Sequence, residues 1–156
     1  MMKIFKNSLL ILLSVVTVPT VWADGFKRAP VLDAYTQECA SCHMAYPPAL
    51  LPGASWQRIM TTLNKHYGVD ASLDAASQKK ISQWLTDNAA TGKRSSAEPP
   101  KDRITQSEWF LRKHNSHEVS PAVWKRASIG SPSNCNACHA QAAQGDFEED
   151  KVRIPK

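Results

Sequence analysis

Residues 39–43 read CASCH and residues 135–139 read CNACH, and these two pentapeptides hold every cysteine of the 156-residue chain. How those four thiols are read decides the fold class. Two disulfides are the plain reading in an oxidising compartment, but a bridge within an i, i+3 pair closes a tiny loop and gains little from chain entropy. Nor does a disulfide framework use a histidine directly after each second cysteine. Structural zinc sites commonly place a second C-x-x-C pair ~15–20 residues after the first, whereas more than ninety residues separate Cys42 from Cys135. A thioredoxin-like pair calls for a βαβ pattern around it, and none is visible. What remains is C-x-x-C-H as a covalent haem attachment. On a helix, residues i, i+3 and i+4 lie on one face. Cys39 and Cys42 would then form thioethers with the two vinyl groups of one porphyrin while His43 faces its iron. Cys135, Cys138 and His139 would do the same for a second haem, so the pattern predicts two covalently bound haem c groups.

The start of the chain bears on the compartment. Lys3 and Lys6 precede an almost unbroken apolar run, Ser8 to Val18, and Val21-Trp22-Ala23 offers a small-residue cleavage site. This is the layout of a secretory signal peptide over 1–23, with an apolar run too short to span a bilayer comfortably. A mature protein starting near Asp24 would sit in the periplasm. Of 19 basic residues, Lys3 and Lys6 leave with the signal, so 17 basic face 14 acidic side chains. That mild excess, with no block of like charge, argues against nucleic acid as a partner. No other apolar stretch is long enough to cross a membrane, and the mature chain should be soluble.

An iron held by His43 or His139 has a second axial position, for which His66, His114, His117, Met44 and Met60 are the candidates. Residues 55–67, SWQRIMTTLNKHY, read as an amphipathic helix capped by Ser55 and stopped by Gly68, with Trp56, Ile59, Met60, Leu63 and Tyr67 on one face. His66 lies on or beside that stripe. A histidine there is ordinarily a hydrogen-bonded core residue, but a haem in need of cover favours ligation. Thr105-Gln106-Ser107-Glu108 reads as a capping box, and His114, four residues after Phe110, shares a face with it. His117 is the runner-up and otherwise an exposed loop residue. Met60 is more simply core, and Met44 follows a ligand too closely to reach the other side of the same iron. Sequence proximity pairs His66 with the first haem and His114 with the second, with a crossed arrangement left open. Arg58, Arg103 and Arg112, beside these helices, are either partners of haem propionates or ordinary solvated charges.

The polar stretch TGKRSSAEPPKD, 91–102, divides the chain. The expected organisation is an N-terminal haem lobe over 24–92, a linker over 93–102 and a C-terminal haem lobe over 103–156. Helices are expected at 72–90, where Ile81, Trp84, Leu85 and Asn88 follow helical spacing, at 105–114, after Pro121 and at CNACH, ending near Gly145. Strand signals are scarce. The predicted fold is therefore mainly α, with short helices and loops wrapped around two covalently attached haems in two small lobes. The haems supply core that so small a chain cannot build alone.

The runs ECASCHMAYPPALLPGASW, KHYGVDASLD, DRITQSEWFLRKH and SPSNCNACHAQAAQGDFEEDKVRIP together resemble the bacterial dihaem cytochrome c (DHC-type) family, over nearly all of the mature chain. The resemblance implies a periplasmic electron carrier, not an enzyme, with two haems each ligated by two histidines. By motif it makes His66 of KHYG and His114 of FLRKH the distal ligands. It also implies other redox proteins as partners, a small oxygen-binding monohaem c-type cytochrome or a membrane b-type cytochrome among them. The rival reading is a dihaem enzyme of the peroxidase type, in which one iron stays open to substrate.

Overall fold

The computed structural model describes residues 28–156, so the expected signal peptide lies outside the described residues. Among these there are four α-helices, α1 (Asp33–Cys39), α2 (Gly53–Thr61), α3 (Ala75–Asp87) and α4 (Glu108–Lys113). They are joined by short 3-10 turns, with a single isolated β-bridge between His66 and Val69 and no strand. None of these helices is long and apolar enough to cross a membrane.

The helical period of α3 is real. Ile81 and Leu85 stand four residues apart on one face and are at most 1 % exposed. Asp74 starts the helix, its carboxylate accepting from the backbone N–H groups of Ala76 and Ser77 at 2.9 and 3.0 Å. The buried face of α3 packs on α2 and α1, and Tyr35, Leu51, Trp56, Met60, Ile81 and Leu85 form the connected core. Burying an aliphatic side chain of this size contributes about 1.5–3 kcal/mol. Met60 is a core residue, as its place on the stripe predicts. Ile104, from beyond the 91–102 stretch, also packs against this core.

The expected helix at 55–67 is shifted and shorter. It begins at Gly53 after an extended Pro52, so Ser55 lies inside it, fully buried, and accepts from Arg58 at 3.3 Å instead of capping. It ends at Thr61 because the threonine hydroxyls compete for backbone acceptors. Thr61 and Thr62 both donate to the Arg58 carbonyl, at 3.0 and 2.8 Å. A 3-10 turn, Leu63–Lys65, carries the chain on to His66, and Tyr67 leaves the helical region altogether at φ +50°.

The part of the chain after residue 102 is built more loosely. The capping box at 105–108 does not form. Ile104–Gln106 is a 3-10 turn, and Ser107 caps α4 by accepting from the Phe110 N–H at 3.3 Å. The helices expected after Pro121 and at CNACH are single 3-10 turns, Val123–Lys125 and Cys135–Ala137. Gly145, at φ +74°, closes another turn in the left-handed region that glycine enters without strain. The stretch 91–102 is also tied down. Asp102 takes two hydrogen bonds from the Arg58 guanidinium, at 3.0 and 2.6 Å, and Glu98 a third at 2.7 Å.

Candidate functional site

The two C-x-x-C-H motifs do not ride on continuous α-helices, as the spacing argument supposes. Helix α1 ends at Cys39, leaving Ala40 to His43 in a turn. The second motif is one tight turn in which the N–H groups of Cys138 and His139 both donate to the Cys135 carbonyl, at 3.2 and 2.8 Å. One turn suffices, because it already brings i, i+3 and i+4 to one side. None of the four cysteines is in a disulfide. Burial pushes the Cys39 and Cys135 thiols up to about 11, so neither is a thiolate nucleophile at neutral pH. Among the described residues no group of three or more His, Cys, Asp or Glu side chains converges as a metal cage. That leaves the motifs without the four-ligand shell of structural zinc.

The histidines are where the tertiary structure speaks. The rings of His43 and His66 face each other with centroids 6.1 Å apart and planes at 32°. Those of His114 and His139 stand 6.2 Å apart at 70°. Two imidazoles bound through nitrogen to opposite sides of one metal ion, with bonds of about 2 Å each, have ring centres roughly 6 Å apart. Each motif histidine is thus opposed by one distal histidine from its own half of the chain, and the crossed arrangement is not what the fold brings together.

Second partners orient two of the four rings. The Nδ1 of His43 is 2.7 Å from the Met44 carbonyl, and the Nδ1 of His114 is 3.1 Å from the Phe110 carbonyl. A carbonyl only accepts, so each Nδ1 carries the proton and Nε2 keeps a lone pair for a metal. Burial lowers the pKa of His66 and of His114, with the neighbouring His43 adding to the effect at His66. Both shifts favour the neutral imidazole, the form that ligates iron.

Each distal histidine sits just past a helical element. His66 occupies a turn whose next residues, Tyr67 and Gly68, have φ of +50° and +105°. An aromatic residue in the left-handed region is strained, and the neighbouring segment holds it there. The Tyr67 hydroxyl donates to the carbonyls of Lys101 and Asp102 at 3.1 and 3.0 Å, and the Arg103 guanidinium lies 4.4 Å over its ring. His114 is the C-cap of α4 and stacks on Phe110, with ring centroids 4.0 Å apart and planes at 14°. Phe110 and His114 do share a face. His117 is exposed in a loop.

The second histidine pair lines a cleft of about 440 Å³ together with Cys135 and Cys138. Its walls are largely apolar: Ile104, Trp109, Phe110, Trp124, Phe147, Val152 and Ile154, with Leu50 contributed by the first lobe. Exposed Arg112, Lys113, Glu118 and Glu149 also border it. An apolar cleft with two opposed imidazoles, two thiols and a charged edge fits a haem. Of the three arginines considered for propionates, Arg112 borders this cleft, while Arg58 is engaged by Glu98 and Asp102, and Arg103 by Tyr67.

Three residues escape a reading of the sequence alone. Trp124 lies 6.0 Å from the His114 ring, Phe147 lies 5.3 Å from His139, and Tyr46 lies 5.0 Å from His43. The rigid Tyr46-Pro47-Pro48 run, two residues after the first motif, is a signal that could have singled out Tyr46.

Comparison with known proteins identifies the family. The sequence model of the dihaem cytochrome c family matches residues 35–147. A diheme cytochrome c crystallised from Shewanella baltica OS155 is 39 % identical, with a TM-score of 0.68 over 78 % of this chain and 91 % of its own. DHC from Rhodobacter sphaeroides is 46 % identical, with a TM-score of 0.66 over 76 % of this chain and 99 % of its own. A further structure of a Rhodobacter sphaeroides diheme cytochrome c gives 41 % identity and a TM-score of 0.67 over 78 % and 100 %. No curated protein matches. The chain belongs to the dihaem cytochrome c family of electron-transfer cytochromes and carries two covalently bound c-type haems, which its four cysteines in two C-x-x-C-H pairs fit.

Proposed function

We propose that this chain is a periplasmic carrier of single electrons with two low-spin haems, each held by two histidines. His43 and His66 ligate the iron of the haem on Cys39 and Cys42. His139 and His114 ligate the iron of the haem on Cys135 and Cys138. The observation that supports this reading is the opposition of both histidine pairs at 6.1 and 6.2 Å, the separation that one iron between them requires.

When bound, the haems supply a one-electron ferric/ferrous couple, poised lower by a pair of imidazoles than by a histidine with a methionine. The residues of the chain do the rest. The Met44 and Phe110 carbonyls fix the tautomers of His43 and His114. The four imidazoles of His43, His66, His114 and His139 would hold the two irons and keep small exogenous ligands off them. Phe110, Trp124 and Phe147 exclude water around the second pair, which sets its dielectric. A filled coordination shell suits outer-sphere exchange with other redox proteins, and the partners are of that class. A small oxygen-binding monohaem c-type cytochrome or a membrane b-type cytochrome would suit.

The test is spectroscopic. The haem-loaded protein should show two low-spin ferric signals and no optical change when carbon monoxide meets the reduced form. His66→Ala and His114→Ala should each open one iron, giving half of the haem a high-spin signal and a carbon monoxide adduct. A wild-type protein that binds carbon monoxide would return the peroxidase-type enzyme to consideration and displace this reading.

A further inference from the structure

Tyr46 touches both haem sites. Its ring lies 5.0 Å from that of His43, with the planes at 32°. Its hydroxyl donates to the Ser133 carbonyl at 2.8 Å, across 87 residues of sequence. That same carbonyl lies 3.7 Å from Cys135 Sγ. The backbone of Tyr46 is fixed from the other side, because the buried Tyr35 of α1 donates its hydroxyl to the Tyr46 carbonyl at 2.8 Å. Helix α1 ends on Cys39. Tyr46 therefore sits in a continuous chain of contacts running from the Cys39 and His43 end of one site to the Cys135 end of the other.

The surroundings make this placement rigid. Pro47 and Pro48 follow directly, and Pro48 opens a buried 3-10 turn whose carbonyl takes the Trp56 indole N–H at 2.7 Å. Proline restricts its own φ and that of the residue before it, so Tyr46 has little freedom to swing away. A phenol with a good hydrogen bond at one end and a ring contact at the other is a defined geometry rather than a loose surface contact.

We propose that Tyr46 is a positioning residue for electron exchange between the two haems, orienting the His43 imidazole and fixing the backbone that carries Cys135. The exchange is a single-electron step in which one ferrous iron becomes ferric as the other, ferric, becomes ferrous, with no proton or group transferred. The ring of Tyr46 meets the first site and its hydroxyl the backbone of the second. The inference rests on the two-histidine reading of both sites.

The experiment compares the full-length, haem-loaded wild type with Tyr46→Phe and Tyr46→Leu. Haem methyl resonances in the half-reduced protein give the concentration-independent exchange rate, and electron paramagnetic resonance reports each ferric site. Tyr46→Phe, which loses only the Ser133 hydrogen bond, is expected to slow exchange severalfold while both ferric signals keep their wild-type positions. Tyr46→Leu is expected to slow it further and also to move the signal of the first haem, because the His43 ring loses its support. A merely structural contact would lower thermal stability without changing exchange in folded protein, and that outcome overturns the proposal. Exchange at the wild-type rate in Tyr46→Phe also overturns it. Failure of the two-histidine reading would show differently, as a high-spin signal already present in the wild type.

Discussion

The two haem sites share a motif and an imidazole spacing but stand on different foundations. The first rests against the connected core of α1, α2 and α3, in which Tyr35, Trp56, Met60, Ile81 and Leu85 are buried. His66, which faces His43, hangs on a strained turn, clamped through Tyr67 by the segment at 101–103. The second half of the chain has one α-helix of six residues, otherwise 3-10 turns, and its aromatic side chains, Trp109 and Phe110 in edge contact at 6.0 Å among them, line the cleft. On this contrast the first haem would attach to an already connected core, whereas the second would supply much of the apolar surface around it. A short polar chain with little apolar surface to bury leans on a flat apolar cofactor to offset its ordering entropy.

The largest effect that could break this contrast comes from removing one haem at a time. Cys135→Ala with Cys138→Ala should cost the second lobe its cooperative structure, because a group bound only by the folded state stabilises that state. Cys39→Ala with Cys42→Ala should leave the α2–α3 core intact. Haem content by mass and backbone amide exchange, read lobe by lobe, check this. Equal loss of protection in both variants would erase the asymmetry.

Next in size is Phe110→Ala. Phe110 is 7 % exposed and carries the stacked His114, so truncation should cost about 3–5 kcal/mol. It should also raise the accessibility of the second iron while leaving the first haem's spectrum unchanged. Denaturant unfolding and a carbon monoxide titration measure the two consequences.

The ring planes offer a third and finer test. At 32° the two imidazoles of the first site act on nearly the same iron d orbital, separating it from its partner; at 70° those of the second act on both almost equally. The ferric spectrum should therefore contain one ordinary rhombic low-spin signal and one of much larger anisotropy. His66→Ala should remove the rhombic one and His114→Ala the anisotropic one. Two identical rhombic signals would contradict the difference in ring geometry.

The smallest expected effect concerns the clamp on the first site. The Arg58 guanidinium holds the Asp102 carboxyl below its ordinary range. A depressed folded pKa means that the pair stabilises the fold above the unfolded value, about 3.9, and that this is lost as pH falls through the folded value. With Arg58 about half exposed, the contribution at neutral pH is about 1 kcal/mol or less. Asp102→Asn should thus lower Tm slightly at pH 7 and have no effect once the carboxyl is protonated in both states. A Tm difference that persists unchanged into strong acid would assign the effect to packing instead of charge.

Much of this was legible without coordinates. Two C-x-x-C-H motifs that consume every cysteine leave few other chemistries open. The i, i+4 pairs Ile81–Leu85 and Phe110–His114 mark faces that the folded chain does use. Local competition was less legible. Thr61 and Thr62 end α2 early by donating to the Arg58 carbonyl, and Ser107 takes the cap that the spacing assigned to Thr105. Such outcomes turn on hydrogen bonds of about 1 kcal/mol each, close to the differences between alternatives.

By itself, the sequence determined the cofactor class, the attachment residues and the short list of histidines able to oppose them, because covalent spacing and residue chemistry are local properties. Only the tertiary structure decided that His66 faces His43 and His114 faces His139, that the planes cross at 32° in one pair and 70° in the other, and that Tyr46 meets Ser133. Those are contacts across many residues of chain. They depend on where α2, α3 and the Tyr46-Pro47-Pro48 run come to rest once the apolar faces are buried, and no local pattern encodes that.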